Sequence, residues 1–231
     1  VVNSGIATLP GKIKFKDLDG DGRITENDRT VIGNTNPKFQ GGFGLSGSYK
    51  DFDFTANFTY MLDFDINNAT AYALSSSNGN SKKFYNVLAD FADGWQYNDI
   101  DGSITGTKGD ILYKAYYLTD PVNIYKLGNQ NRSLWNPTDV TTNICHSYFI
   151  EDGSFLRCSD VTLGYTLPKK LTQKIGINKA RFYVSASNLF IITKYTGYDP
   201  EVDIQTGLVP GMDYNRYPRS RTFTFGTNIT F

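Results

Sequence analysis

The chain has 231 residues, 23 of them basic and 23 acidic, with a single histidine. Balanced charge offers no electrostatic footprint for nucleic acid, and no apolar run approaches the roughly 20 residues of a transmembrane helix. The 16 Tyr, 16 Phe and 22 Gly suit strand-rich walls and aromatic girdles.

The opening stretch, "VVNSGIATLPGKIKF", lacks a basic region followed by an apolar core, so it does not read as a signal peptide. Either a leader has been removed or the chain starts inside a longer protein. The next segment, "DLDGDGRITEND", places Asp17, Asp19, Asp21, Gly22 and Asp28 at the EF-hand loop positions 1, 3, 5, 6 and 12. A hard cation such as calcium needs six to eight oxygens, and short carboxylates on a sharply turning backbone supply them. Gly22 permits the turn, the Arg23 carbonyl is the expected main-chain ligand, and Thr25 contributes directly or through water. Asp28 stands where Glu usually closes the loop, which predicts a weaker or wetter site. The segment reads as a structural calcium clip, not a sensor, because no convincing helices flank it. The alternative is an ordinary solvated Asp/Gly turn.

Five strands follow, each alternating with period two. In "GFGLSGSYK" Phe43, Leu45 and Tyr49 alternate with Gly44, Ser46 and Ser48. In "FDFTANFTYML" Phe52, Phe54, Ala56, Phe58, Tyr60 and Leu62 alternate with Asp53, Thr55, Asn57 and Thr59. Lys50 and Asp51 alone separate the two, which predicts a tight hairpin. In "SDVTLGYTLP" Val161, Leu163, Tyr165 and Leu167 alternate with Thr162, Gly164 and Thr166, and Pro168 ends the ladder. "ARFYVSASN" sets Phe182, Val184 and Ala186 against Arg181, Tyr183, Ser185 and Ser187. The chain finishes on "RTFTFGTNITF", with Phe223, Phe225, Ile229 and Phe231 on one parity and Thr222, Thr224, Gly226, Asn228 and Thr230 on the other.

Such two-faced strands belong either to a soluble sandwich or to an outer-membrane barrel. The connections decide between them. A short turn at 50–51, a long link over 65–154, a moderate one at 168–179 and a long one over 193–219 alternate along the chain. Antiparallel strands then send every long loop to one end, as outer-membrane barrels do. The expected fold is all-β, an antiparallel transmembrane β-barrel segment with long extracellular loops. Residues 17–28 fall on the extracellular side. Phe54, Phe58, Leu163, Tyr165, Phe182, Val184, Phe225 and Ile229 are expected to face lipid. Thr55, Asn57, Thr162, Ser185 and Asn228 are expected to face the lumen. Thr224, Gly226, Ile229 and Phe231 also match a polar-x-Gly-x-x-apolar-x-apolar ending that resembles the barrel-insertion signal of outer-membrane proteins.

Four stretches carry a resemblance across nearly the whole chain: "NPKFQGGFGLSGSYKDFDF", "DGSFLRCSDVTLGYTLPKKL", "RFYVSASNLFIITKYTGYDPEV" and "YPRSRTFTFGTNITF". Their content and order resemble the C-terminal region of SusC/RagA-type TonB-dependent transporters. That resemblance implies a plugged barrel in the outer membrane of a Gram-negative bacterium, of which residues 1–231 form C-terminal wall. It implies a SusD-like surface lipoprotein as lid, TonB engaged through an N-terminal region not in this sequence, and import of oligosaccharides or peptides. A dimer of transporter–lipoprotein pairs is compatible with it.

Other candidates are sparse. Trp95 and Trp135 lie in the longest loop, where they contact substrate or lid or else pack the loop on itself. Cys145 and Cys158 read as two free buried thiols, with a bridge as the alternative. His146 lacks a catalytic partner and reads as structural, and no catalytic constellation is present, so the chain is not expected to be an enzyme. Two further readings stay open: a soluble calcium-binding adhesion or carbohydrate-binding β-domain, and a secreted glycan-active enzyme with a dockerin-like loop.

Overall fold

A computed structural model describes residues 2–3, 6–7, 13–75, 88–90, 94, 134–135, 145–201 and 210–231. The chain divides into two compact units, residues 1–31 with 71–145 and residues 32–70 with 146–231. In chain order the elements are β1 (Phe39–Tyr49), β2 (Phe52–Leu62), β3 (Asp65–Asn68) and α1 (Ala69–Leu74). There follow β4 (Ile150–Asp152), β5 (Phe155–Thr166), α2 (Lys169–Thr172), β6 (Lys179–Thr193), β7 (Met212–Asp213) and β8 (Thr222–Thr230).

All five expected strands form, and they join one antiparallel sheet in the order β8-β6-β5-β2-β1. β1 begins at Phe39, β5 at Phe155, and β6 runs to Thr193, so three strands are longer than their alternating cores. The loop expected over 65–154 contains structure of its own. β3 pairs with β4 and, in parallel, with β7, making a three-stranded sheet. Short polar runs such as Asp65–Asn68 carry too little alternation to read as strands; partners distant in sequence select them.

The register puts the expected apolar positions on one face. Phe43 pairs with Phe58, Phe54 with Leu163, Leu163 with Val184, and Val184 with Phe225. Phe43 and Phe58 stack with ring centroids 4.9 Å apart, and Phe52 lies 4.7 Å from Tyr165. Nothing among the described residues packs over this face. Leu163 remains 51% exposed and Phe225 77%. A sandwich would bury the same side chains against a second sheet about 10 Å away. The lumenal set, Thr55, Asn57, Thr162, Ser185 and Asn228, shares the opposite face through the pairs Thr55–Thr162 and Thr162–Ser185.

One irregularity protects this partition. Asn57 pairs with Asp160 but Phe58 pairs with Cys158, so Ser159 is an extra residue in β5. Beside it, Asn188 in β6 adopts φ 52°. The bulge switches parity. Val161, Leu163 and Tyr165 lie on the apolar face, whereas Phe155 and Arg157, also odd-numbered, lie on the polar one. Unbroken alternation would have carried Arg157 to the apolar side.

The turns also fall as the loop lengths predict. The Lys50–Asp51 turn and the 167–178 connection share one end, joined by the Thr166 amide donating to the Asp51 carbonyl at 2.8 Å. Leu62, Phe155 and Thr193 share the other, because Met61 pairs with Phe155 and Phe155 with Thr193.

On the polar face near the short-turn end, Arg181 donates from Nε and Nη2 to the two oxygens of Asp53, at 2.9 and 2.5 Å. The pair bridges β5 by passing over Gly164, where a Cβ would run into both the guanidinium and the carboxylate. The Tyr183 ring likewise covers Gly226. Glycine on the polar parity thus makes room for neighbouring strands' side chains. Replacing Gly164 with Val should break the Asp53–Arg181 bridge and destabilise the wall by about 1–3 kcal/mol, the usual range for overpacking. Gly47→Val, at a position with open space around it, should be neutral. Heat-modifiable gel mobility of the full-length protein distinguishes the two outcomes.

Candidate functional site

Two places carry polar chemistry: the acidic loop near the start of the chain, and the base of the long connections. In the acidic loop Asp17, Asp19 and Asp21 each offer a ligand oxygen, and these three atoms lie within 4.8 Å of one another. Backbone amides shape the turn. Asp17 accepts from Gly20 at 2.6 Å and from Gly22 at 2.8 Å, Asp19 from Asp21 at 3.1 Å, and Asp21 from the Arg23 amide at 2.7 Å. Gly20 and Gly22 adopt φ 76° and 77°, a conformation that favours glycine.

The closing residue behaves differently. Asp28 lies outside the three-carboxylate group. Its two oxygens accept from the Thr25 amide at 2.6 Å and the Leu18 amide at 2.7 Å, which holds its carboxyl below the usual carboxylate range. Thr25 caps the short 3-10 turn Glu26–Asp28, its side chain accepting from the Asn27 amide. Three of the expected ligands are therefore brought together, while Asp28 and Thr25 are engaged in a capping box. The residues fit a hard cation as a partly preformed cradle of three carboxylates on a glycine turn.

The second place is the base of the long connections, where a small apolar core of Phe64, Ile66, Phe155 and Tyr195 is buried, with Met61 and Ile191 against it. Polar groups around it tie distant segments together. The Asp65 side chain accepts from the Asn34 amide at 2.8 Å, and the Asp65 amide donates to the Asn34 carbonyl at 2.7 Å. Glu151 accepts from the Asn68 side chain and from both the amide and the hydroxyl of Thr196. The Tyr195 hydroxyl donates to Asp213 at 2.6 Å, and burial, then this carboxylate, raises the phenol far above its ordinary pKa.

Charges close the arrangement. Arg157 reaches Asp199 at 2.5 Å and Glu201 at 3.2 Å, and Glu201 meets Arg219 at 2.7 Å. The Arg157 and Asp199 side chains are 5% and 9% exposed. Sequence reading missed these four as a group. The signal was present: three separate stretches each contribute, "SFLRC", "YDPE" and "YPRSR".

Other expectations resolve simply. Thr224 pairs with Ser185 and Gly226 with Tyr183 on the polar face, Ile229 lies on the apolar face, and Phe231 follows the last paired residue, Thr230. Trp135 is half-buried, and Trp95 lies outside the described residues. Cys145 and Cys158 are both free, but only Cys158 is buried, against the expectation of two buried thiols. The His146 ring lies tilted against Phe149 with centroids 5.1 Å apart, and burial lowers its pKa, which fits a packing role.

Arg157→Met should leave the buried Asp199 carboxylate, and in part the half-buried Glu201, under-paired. Breaking such a pair costs about 3–5 kcal/mol. Limited proteolysis of the full-length protein should then show new cleavage within residues 194–219, with the wall strands protected. An unchanged digestion pattern would mean that the cluster does not hold this connection.

No family model matches the chain. Among curated proteins it is similar to TonB-dependent receptor P3 of Formosa agariphila, 32% identical over 98% of this chain and 20% of the receptor. It is also similar to TonB-dependent receptor SusC of Bacteroides thetaiotaomicron, 30% identical over 94% of this chain and 17% of the receptor. Among solved structures, the RagAB peptide transporter matches with a TM-score of 0.65 and 23% identity, over 96% of this chain and 20% of that one. The chain spans about a fifth of the length of the curated relatives it matches. The all-β antiparallel wall agrees with that structural likeness. Along the residues it spans, the chain is similar to TonB-dependent receptors, SusC among them, and the solved RagAB structures add a likeness of fold.

Proposed function

We propose that this chain is part of the barrel wall of a TonB-dependent importer in the outer membrane of a Gram-negative bacterium. The observation that carries the reading is the apolar face shared by all five strands and left uncovered by the described residues. In lipid such a face is stable, because the backbone groups between neighbouring strands are paired and mainly apolar side chains meet hydrocarbon. Both outer strands, β8 and β1, then continue into further wall, since even the smallest closed barrels need about eight strands.

The imported substrate is an oligosaccharide or a peptide, and a SusD-like surface lipoprotein serves as its lid. Support comes from the SusC and RagAB relatives. Contact with TonB falls to regions that the longer relatives have and this chain does not span. The chain itself supplies wall, lumen lining and loop bases, with no catalytic role. Thr224, Gly226, Ile229 and Phe231 serve as the signal read by the barrel-insertion machinery, and residues 17–28 hold calcium as a clip on the extracellular side.

Deleting the gene for the full-length protein should abolish TonB-dependent growth on one oligosaccharide or peptide source and leave growth on its monomers intact. Recovery of the protein in the soluble fraction, with uptake unchanged, would overturn the reading.

The calcium clip has its own test. Titration of the full-length protein with calcium should saturate by millimolar concentration, the weak end of the EF-loop range. Asp19→Ala combined with Asp21→Ala should remove that binding and the calcium-dependent protection of the loop from protease. Absence of binding by the wild type would leave an ordinary acidic turn.

A further inference from the structure

We propose that the β5–β6 connection, residues 168–178, is a membrane-surface anchor that binds the anionic phospholipid headgroups of the leaflet at the short-turn end. The inference rests on the barrel-wall reading. Its starting point is a local imbalance of charge. The sequence "PKKLTQKIGIN" carries Lys169, Lys170 and Lys174 and no acidic residue. All three lysines are exposed, and none forms an ion pair among the described residues. The nearest ion pair, Asp53–Arg181, lies on the polar face of the sheet, and at the opposite end Lys38 pairs with Asp63 while Arg157 and Arg219 pair with Asp199 and Glu201.

Apolar side chains accompany the lysines. Leu171 and Ile175 are 55% and 70% exposed. Leu171 and Lys170 lie in α2, and Ile175 and Lys174 in the 3-10 turn Gln173–Ile175 that follows it, so apolar and basic side chains accompany each other along the connection. The turn is held rigidly, so this exposure is built in. Thr172 is 1% exposed, and its hydroxyl donates to the Lys169 carbonyl at 3.2 Å. The Ile177 amide donates to Thr172 at 3.0 Å and the Asn178 amide to Thr230 at 2.8 Å, fastening the connection to its own turn and to β8.

Continuity with the wall selects the partner. Leu163 and Tyr165, two residues apart on the apolar face, run directly into this connection, and Phe182 and Ile229 lie on the same face just beyond it. The anchor therefore sits where the lipid-facing surface ends. There hydrocarbon gives way to headgroups, and an apolar stem with a cationic tip is favoured in both. Surface lysines are attracted to anionic lipid over about one Debye length, so the interaction should weaken with salt.

The full-length transporter is to be reconstituted in nanodiscs of phosphatidylethanolamine alone and of phosphatidylethanolamine with phosphatidylglycerol. The wild type should melt at a higher temperature in the second, and should retain phosphatidylglycerol in native mass spectrometry. A triple variant, Lys169→Gln, Lys170→Gln and Lys174→Gln, should lose the temperature difference and retain roughly tenfold less of the anionic lipid. A triple variant that keeps both would overturn the anchor. So would a variant with unchanged lipid behaviour but lost uptake, which would assign the lysines to an acidic protein partner. Failure of the wild type to insert at all would instead sink the wall reading, so the two failures are distinguishable.

Discussion

Everything in the sheet depends on one constraint: five strands must keep their alternating apolar side chains on the same face across two hairpin registers and a bulge. A slip of one residue moves a whole strand's apolar set to the other face. Cross-strand pairs such as Phe43–Phe58 and Phe54–Leu163 enforce the register on one side. On the other, Asp53–Arg181 spans three strands and fits only because Gly164 lies beneath it. The Ser159 bulge is part of the same solution. It turns Arg157 onto the polar face at the point where the strand passes from the five-stranded sheet to the base of the long connections.

That turn links the wall to what rises from it. Arg157 holds Asp199 and Glu201, and Glu201 holds Arg219, so the connection between β6 and β8 is clamped at both of its ends. Buried charge is a weak source of stability, but a demanding source of geometry, since any misplacement leaves a charge unpaired. The Tyr195–Asp213 bond and the β3–β4–β7 sheet extend the clamp to the other long connection. Long loops built on such a base can vary at their tips without disturbing the wall.

Much of this was legible beforehand. Strict alternation located all five strands, and the order of short and long connections placed the turns at their correct ends. Strands were harder to delimit than to find. Phe155 and Arg157 break the parity of Val161 and Leu163, so alternation alone excluded them from β5. The β3–β4–β7 sheet left almost no trace, since its pairing is long-range and its strands are short. Spacing singled out the acidic loop, and the structure brings the Asp17, Asp19 and Asp21 carboxylates close together. Spacing could not show that the Asp28 oxygens take the Leu18 and Thr25 amides. The Arg157 cluster was missed for another reason: its three contributing stretches lie apart in sequence, and only the fold joins them.

The central claim is that the apolar parity faces hydrocarbon. Single cysteines, introduced into the full-length protein at Phe54, Leu163 and Val184 and at their neighbours Thr55, Thr162 and Ser185, can carry an environment-sensitive fluorophore. In bilayers containing brominated acyl chains, labels at the first three positions should be strongly quenched and labels at the second three should not. Equal quenching of the two sets, or quenching of the second set alone, would contradict the account.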